Sequence, residues 1–151
     1  MAMMVPSILV VCVGNICRSP VGERLLAHRL NERGATIDVS SAGIGALVGH
    51  EADEDAAAVA AQNGVSLTGH IARQFSHDLG AKHALILVME AGHKREIIKS
   101  SPDLSGRIML FDHWTGAKGI ADPYRHSIQF HEEVFAQIDR AATAWVDKLA
   151  K

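Results

Sequence analysis

The sequence of 151 residues predicts an α/β fold: a single domain in which helices cover both faces of a four-stranded parallel sheet. Two unbroken apolar runs, residues 8–11 and 84–89, are typical of strands buried on both faces of such a sheet. Segments with helical periodicity alternate with the strands, as expected of right-handed βαβ crossovers. No repeat, low-complexity tract or linker interrupts this order, so we expect one domain spanning residues 1–151.

The first half of the chain supplies two strands and two helices. A strand over about residues 7–13 is followed by a helix over about 20–32, with Ser19 as N-cap, Pro20 in the first turn and Gly34 after its end. A second strand is predicted at about 37–41. After the Gly-rich stretch 42–49, Asp53 caps an alanine-rich helix that ends near Gly64.

The second half supplies the other two strands and two helices. Residues 84–89 form the third strand, 91–100 a polar helix and 107–111 a short fourth strand. A loop over residues 112–125 leads into a long final helix. Its apolar positions recur at intervals of three or four and predict one buried stripe: Phe130, Val134, Ile138, Ala142, Trp145 and Leu149.

Composition excludes several classes of protein. Fifteen basic and seventeen acidic residues give a formal charge of −2, so nucleic acid is not expected as the main partner. No apolar run approaches the roughly 20 residues of a membrane span, so we expect no membrane insertion. The first six residues lack the basic segment and apolar core of a signal peptide, which favours a cytoplasmic location.

Cysteine and histidine usage also limits the chemistry. Two cysteines are too few for a disulfide framework, and nine histidines are scattered without an HExxH or CxxC pattern. The sequence therefore predicts neither a metal site nor a cofactor.

Both cysteines lie in one short loop, CVGNICRSP, at the end of the first strand. A loop that turns from a strand into a helix directs backbone N–H groups towards a common centre, near the positive end of the helix dipole. Gly14 permits unusual backbone angles, and the planar guanidinium of Arg18 can bind two oxygens of a phosphoryl group. We therefore expect an oxyanion-binding loop that consists of Val13, Gly14, Asn15, Ile16, Cys17, Arg18 and Ser19.

The same loop places Cys12 beneath the bound oxyanion. The helix dipole and Arg18 favour the thiolate there, and Ser19 can donate a hydrogen bond to the sulfur. A lone cysteine at a strand end is more often inert and buried, but the spacing C-x5-R followed by serine favours a nucleophile.

The segment Cys12-Val13-Gly14-Asn15-Ile16-Cys17-Arg18-Ser19-Pro20 resembles the signature loop of the low-molecular-weight protein tyrosine phosphatases, which also carry it near the N-terminus. The family's Asp-Pro-Tyr motif is matched at residues 122–124. Residues 41–43 (Ser-Ala-Gly) and 70–74 (His-Ile-Ala-Arg-Gln) are similar to further family segments. The resemblance covers essentially the whole chain, with the motifs in the same order.

The resemblance implies a mechanism through a phosphocysteine intermediate. Cys12 would be the nucleophile and Arg18 the phosphate clamp, while Asp122 would protonate the leaving phenol and then activate water. Charge in the transition state would be held by Arg18 and the loop amides, without a cofactor or metal.

The resemblance also implies supporting roles. Asn15, Ser19, Ser41 and His70 would hold the loop in its strained conformation. Cys17 would form a reversible disulfide with Cys12 and so protect it from over-oxidation; the alternative is that Cys17 only packs under the loop.

The resemblance also indicates which residues line the substrate pocket and which branch of the family the chain is similar to. Tyr124 and Leu47 would form opposite walls of the pocket. Leu47, Arg125 and the pair His113-Trp114 resemble the bacterial branch that serves tyrosine kinases of capsule and exopolysaccharide export. The expected partner is the phosphotyrosine-bearing tail of such a kinase, and we expect the enzyme to be a monomer or a weak homodimer.

Four alternative functions agree less well with the sequence. The glycines at positions 43, 45 and 49 could suggest dinucleotide binding, but they follow the second strand and lack the G-x-G-x-x-G spacing. Arsenate reductases on this fold need cysteines downstream of Cys17, and this chain has none. Protein-arginine phosphatases tend to have threonine in place of Ile16. A phosphate-binding module without catalysis would typically lack Cys12, Arg18 or Asp122.

Overall fold

Four parallel strands form the centre of the molecule. The computed structural model describes residues 5–150. Its strands are β1 (Ser7–Cys12), β2 (Asp38–Gly43), β3 (Leu85–Val88) and β4 (Ile108–Leu110), in the spatial order β2-β1-β3-β4. Every strand pair is parallel, which confirms the predicted fold class.

Five α-helices connect and cover the strands of the described region. They are α1 (Arg18–Glu32), α2 (Glu54–Gln62), α3 (His77–Ala81), α4 (Ala91–Ser100) and α5 (Ile128–Leu149), with a 3-10 helix over Pro102–Arg107 before β4. Within residues 5–150, no helix combines the length and apolar character that crossing a membrane requires.

Alternating side chains of β1 divide the core into two layers. Ile8, Val10 and Cys12 pack on the face covered by α1, α2 and α5, whereas Leu9 and Val11 face α4 and the 3-10 helix. These five residues are at most 3% exposed, so β1 is buried on both faces. The apolar run that predicted this strand reflects its central position.

The long final helix buries the stripe that its periodicity predicts. The buried positions include Val134, Ile138, Ala142, Trp145 and Leu149, and Phe130 is half-buried beside the same cluster. The helix begins after Ser127, whose hydroxyl accepts a hydrogen bond from the N–H of Phe130. Trp145 donates from Nε1 to the carbonyl of Phe111 (2.8 Å), which fixes α5 to the end of β4.

The predicted start of the first helix is wrong by two residues. Helix α1 begins at Arg18 with Cys17 as N-cap, and Ser19 is a buried residue inside the first turn. The hydroxyl of Ser19 contacts the sulfur of Cys12 instead of capping the helix. Pro20 still lies in the first turn, where its missing N–H has no intrahelical partner to lose.

Strand β2 extends to Gly43, two residues beyond the predicted end, because Gly43 pairs with Cys12 and bridges to Gln74. A β-carbon at position 43 would lie 2.2 Å from the carbonyl oxygen of Val13, so only glycine fits there. This close approach fixes the start of the oxyanion-binding loop against β2.

The order of the strands places that loop at the switch point of the sheet. The chain moves from β1 outward to β2 and then returns past β1 to β3, so the direction of winding reverses beside β1. Ligands of open parallel sheets bind beyond the carboxyl ends of the strands at such a point. The loop that leaves Cys12 lies at this position.

We expect Gly43→Ala to lower the free energy of unfolding by about 1–3 kcal/mol, because the new methyl group overlaps the backbone of Val13. Urea unfolding followed by circular dichroism measures this loss. Gly106→Ala is the matched control, because a β-carbon there meets no atom within 4 Å. Equal stability of both variants would contradict the proposed close approach.

Candidate active site

A cavity of about 180 Å³ opens at the carboxyl end of β1. It brings together three separate segments: the oxyanion-binding loop, the stretch after β2 and the loop before α5. Its lining residues are Cys12, Val13, Gly14, Ile16, Cys17, Arg18, Gly45, Leu47, Asp122 and Tyr124. The three residues predicted to be catalytic and both predicted pocket walls therefore share one cavity.

Cys12 ends β1 and lies close to the N-terminus of α1. Its Sγ is 2.9 Å from the hydroxyl oxygen of Ser19, and the residue is 3% exposed. A hydroxyl that donates to sulfur stabilises a thiolate, as does the positive end of the helix dipole. The arrangement suits a nucleophilic sulfur.

Asn15 occupies the turn of the loop with a φ of 59°, in the left-handed region. Its side chain is fully buried and donates from Nδ2 to the hydroxyls of Ser19 (2.8 Å) and Ser41 (3.0 Å). Its Oδ1 accepts the N–H of Arg73 (3.0 Å), and its carbonyl oxygen lies 2.6 Å from Nε2 of His70. These four contacts hold the strained residue in place.

Two further residues extend this network, and the sequence assigned no role to either. Glu23 of α1 accepts a hydrogen bond from the Ser41 hydroxyl (2.7 Å). Arg73 donates from Nε to the carbonyl of Ser41 (2.9 Å). Arg73 lies in a segment with family resemblance, whereas Glu23 shows no signal in the sequence beyond its helical position.

Arg18 is buried at the base of the cavity, with its side chain 1% exposed. Nη1 donates to Oε2 of Glu90 (2.5 Å) and to the carbonyl of Ile120 (2.6 Å). Nη2 is 3.9 Å from Oδ2 of Asp122, and the buried Nε has no hydrogen-bond partner among residues 5–150. One edge of the guanidinium is thus anchored, and Nε and Nη2 can donate to an oxyanion.

Glu90 was not among the residues predicted to belong to the site. It is the second residue after β3 and occupies the N-cap position of α4 without a capping hydrogen bond from its side chain. A carboxylate beyond the carboxyl end of a parallel strand is the one signal that the sequence offers for it. By pairing with Nη1, Glu90 fixes the orientation of Arg18 and offsets part of its buried charge.

Asp122 lies above the guanidinium of Arg18. Its Oδ1 accepts the N–H of Tyr124 (3.1 Å), and its side chain is 47% exposed. The loop that carries Asp122 is fixed at its base, where the N–H of Ile120 donates to the carbonyl of Met89 (2.8 Å). Asp122 is therefore held at the mouth of the cavity and remains accessible to solvent.

The rim of the cavity is apolar and partly exposed. Tyr124 (36% exposed) and Leu47 (38% exposed) lie on it, and the guanidinium of Arg125 lies 5.3 Å from the centre of the Tyr124 ring. Such a rim suits an aromatic ring carried above a bound oxyanion.

Two titratable groups near the site are held neutral. Burial, reinforced by the carboxylates of Asp53 and Asp122, raises the pKa of the Cys17 thiol far above its ordinary value. Burial, reinforced by the guanidinium of Arg18, lowers the pKa of His93, whose Nε2 lies 3.5 Å from Glu90. Cys17 is therefore a thiol and His93 a neutral imidazole at pH 7.

We expect Asn15→Ala to lower the free energy of unfolding by about 2–4 kcal/mol, because buried hydroxyl and N–H groups lose their partner. Affinity for inorganic phosphate, measured by calorimetry, should fall with it. Asn63→Ala, which removes a single hydrogen bond at the end of α2, should cost about 1 kcal/mol or less. Unchanged phosphate affinity of Asn15→Ala would contradict this role.

His93 makes stability depend on pH. Because its pKa is lower in the folded protein than the ordinary value near ~6.5, the unfolded chain takes up its proton first as pH falls. Its contribution to stability is therefore present above pH ~6.5 and decreases below it. We expect the fall in Tm between pH 7.5 and 5.5 to be smaller in His93→Gln than in the wild type.

The control variant is His113→Gln, which replaces an exposed histidine by the same substitution. His77 acts in the opposite direction, because its hydrogen bond to Asp103 raises its pKa. The effect of His77 on the pH dependence of Tm is the same in the wild type and in His93→Gln, so it cancels when the two are compared. An identical pH slope in His93→Gln would refute the prediction.

Comparison with known proteins places the site in a family. The family profile described as low molecular weight phosphotyrosine protein phosphatase matches residues 7–151. The low molecular weight protein-tyrosine-phosphatase Etp of Escherichia coli K12 is 46% identical over 145 residues, which are 96% of this chain and 95% of Etp.

Solved structures agree in fold over the same span. The tyrosine phosphatase Wzb of Escherichia coli K30 in complex with sulphate has a TM-score of 0.92 and 45% identity, covering 96% of this chain and 99% of Wzb. Wzb of Vibrio vulnificus in complex with benzylphosphonate also has a TM-score of 0.92, with 44% identity over 97% of this chain and all of that one.

The matched profile and these relatives cover almost the whole chain, and the relatives share 44–46% of its residues. This chain therefore belongs to the low molecular weight phosphotyrosine protein phosphatases and is a protein-tyrosine-phosphatase.

Proposed function

We propose that the enzyme hydrolyses phosphotyrosine in proteins through a phosphocysteine intermediate. Cys12 is the nucleophile, Arg18 the phosphate clamp and Asp122 the general acid and base. The observation that carries the proposal is the convergence of these three side chains on one cavity at the N-terminus of α1. Chemistry of this kind requires a thiolate, a bidentate cation and a proton donor in one place.

In the first half-reaction, the Cys12 thiolate forms a bond to phosphorus while the bond from phosphorus to the tyrosine oxygen breaks. Asp122 transfers its proton to that oxygen, and tyrosine leaves. In the second, the Asp122 carboxylate removes a proton from water as the water oxygen attacks phosphorus. The S–P bond breaks, inorganic phosphate leaves, and the hydroxyl of Ser19 stabilises the released thiolate.

Arg18 and the loop amides bind the negative charge of the phosphoryl oxygens throughout. Nε and Nη2 of Arg18 form a planar fork for two phosphoryl oxygens, and its Nη1 stays bound to Glu90 and Ile120. A donor set fixed before the reaction need not reorganise as charge develops, which is the main source of such stabilisation.

The cavity lining supports an aryl phosphate as substrate. Ile16, Leu47 and Tyr124 offer apolar surface around the entrance, and the Vibrio vulnificus relative binds benzylphosphonate, which carries an aromatic ring beside the phosphonate. Neither phosphoarginine nor arsenate is favoured, because Ile16 replaces the threonine of arginine phosphatases and no cysteine follows Cys17.

As physiological substrate we propose the tyrosine-phosphorylated tail of a bacterial kinase of capsule or exopolysaccharide export, acted on in the cytoplasm by a monomer or weak homodimer. The support is the set of branch features Leu47, Arg125 and His113-Trp114. Trp114 packs edge-on against Trp145, with 5.6 Å between the ring centres. The contact between these two tryptophans joins the loop before α5 to α5.

A redox role for Cys17 completes the proposal. Peroxide would oxidise Cys12 to the sulfenic acid, and the Cys17 sulfur would displace its hydroxyl as water to form a disulfide that thiols reduce. The raised pKa of Cys17 makes this displacement slow at neutral pH and faster as pH rises.

We expect the wild type to release phosphate from a phosphotyrosyl peptide in the presence of EDTA and reductant, but not from phosphoseryl or phosphoarginyl peptides. Cys12→Ser should lower kcat by roughly 10³-fold or more, because an alcohol replaces the thiolate. Cys17→Ala is the matched control and should retain turnover. An active Cys12→Ser enzyme would overturn the mechanism.

Asp122→Asn tests the proton transfer. We expect kcat on the phosphotyrosyl peptide to fall roughly 10²–10³-fold, because the phenol must then leave without a proton. The loss should be much smaller with p-nitrophenyl phosphate, whose leaving group is stable as an anion. Asp78→Asn, at a fully solvated position, should leave both rates unchanged. Equal losses of Asp122→Asn on both substrates would argue against Asp122 as the acid.

A further inference from the structure

Three potential metal ligands meet outside the active-site cavity, between the N-terminus of α2 and the first turn of α5. Nε2 of His131 lies 3.9 Å from Oδ2 of Asp53 and 4.0 Å from Oδ2 of Asp55. All three ligand atoms lie within 4.8 Å of one another. The catalytic scheme uses none of these side chains.

The state of His131 distinguishes this cluster from an ordinary group of surface carboxylates. The residue is 3% exposed, and its Nε2 is buried without a hydrogen-bond partner among residues 5–150. A buried polar nitrogen without a partner is costly, and here it is directed at two carboxylates that are too distant for a hydrogen bond. A cation between the three groups would give the His131 nitrogen the partner that it lacks.

The spacing of the three atoms suits a small divalent ion. A point equidistant from them lies roughly 2.5 Å or less from each, compared with zinc–ligand distances of about 2.0–2.2 Å. Inward movement of a few tenths of an ångström would close the site. The Asp55 side chain is 56% exposed and can make that movement, with a water as the fourth ligand.

Donor chemistry selects among the common ions. One imidazole nitrogen and two carboxylate oxygens suit zinc and its transition-metal neighbours, whereas magnesium and calcium prefer oxygen ligands alone. Two carboxyl groups beside one imidazole nitrogen also match the ligand set of a divalent cation. We propose that Asp53, Asp55 and His131 bind one transition-metal ion, with Zn²⁺ as the expected occupant.

The proposed site is joined to the oxyanion-binding loop by one hydrogen bond. The backbone N–H of Asp53 donates to the carbonyl of Ile16 (2.9 Å), and the Asp53 carboxylate caps α2 through the N–H of Ala56 (3.1 Å). An ion there would bridge α2 to α5 directly beside that contact. Bound metal should therefore raise Tm, because it links two elements that separate on unfolding.

Zinc titration by calorimetry tests the proposal, in the Cys12→Ser background so that the active-site thiolate does not compete for metal. We expect one Zn²⁺ per chain, a higher Tm on binding, and Co²⁺ to occupy the same site with visible absorption bands. Mg²⁺ at the same concentration should give none of these effects.

Two variants localise the ion. His131→Phe and Asp55→Asn should each weaken zinc binding at least tenfold and abolish the rise in Tm. Asp55 is exposed, so Asp55→Asn keeps the test valid even if His131→Phe folds poorly. His28→Gln and His77→Gln are the matched controls, because each removes an exposed histidine that also lies beside a carboxylate.

Binding by the parent with a Kd weaker than on the order of 1 mM would overturn the proposal. So would zinc affinity that survives both Asp55→Asn and His131→Phe, or affinity lost equally in the two control variants.

Discussion

The buried side chain of Asn15 holds the oxyanion-binding loop in the one conformation on which the rest of the site depends. With φ at 59°, this residue turns the backbone so that the loop can close between β1 and α1. Left-handed backbone is strained in most residues other than glycine, and here hydrogen bonds to Ser19, Ser41 and Arg73 offset the strain. One residue thus joins α1, β2 and the segment after α2.

The buried charge of Arg18 imposes a second constraint. A guanidinium that is 1% exposed requires partners. Among residues 5–150, Nη1 binds Glu90 and the carbonyl of Ile120, while Nη2 lies 3.9 Å from the carboxylate of Asp122. The Glu90 carboxylate fixes the orientation of the group without occupying Nε. Held in this way, Arg18 remains available to a dianion, and burial of His93 as a neutral imidazole adds no competing positive charge behind it.

The fold and the loop at the base of the cavity could be predicted from local patterns, because apolar runs mark buried strands and C-x5-R places a thiol and a cation in one loop. The position of Asp122 in the same cavity was expected from the family resemblance alone. Glu23, Glu90 and Arg73 could not be assigned in this way. Their roles come from side-chain contacts between elements far apart in the chain, and no spacing rule describes such contacts. The start of α1 was predicted two residues too late for a related reason. Serine is a residue type that favours the N-cap position, but the hydroxyl of Ser19 contacts the Cys12 sulfur instead.

The same limit explains why no sequence pattern indicated the proposed metal site. Asp53 and Asp55 begin α2 while His131 lies in α5, and only the packing of these two helices on one face of the sheet brings the three together. Asp53 contacts the oxyanion-binding loop through its backbone, and its Oδ2 lies 3.9 Å from Nε2 of His131; Asp53 is not among the residues that line the cavity. The loop is therefore held by several elements outside the cavity, which leaves its inner surface open for the proposed phosphoryl group and the neighbouring side chains open for the proposed metal ion.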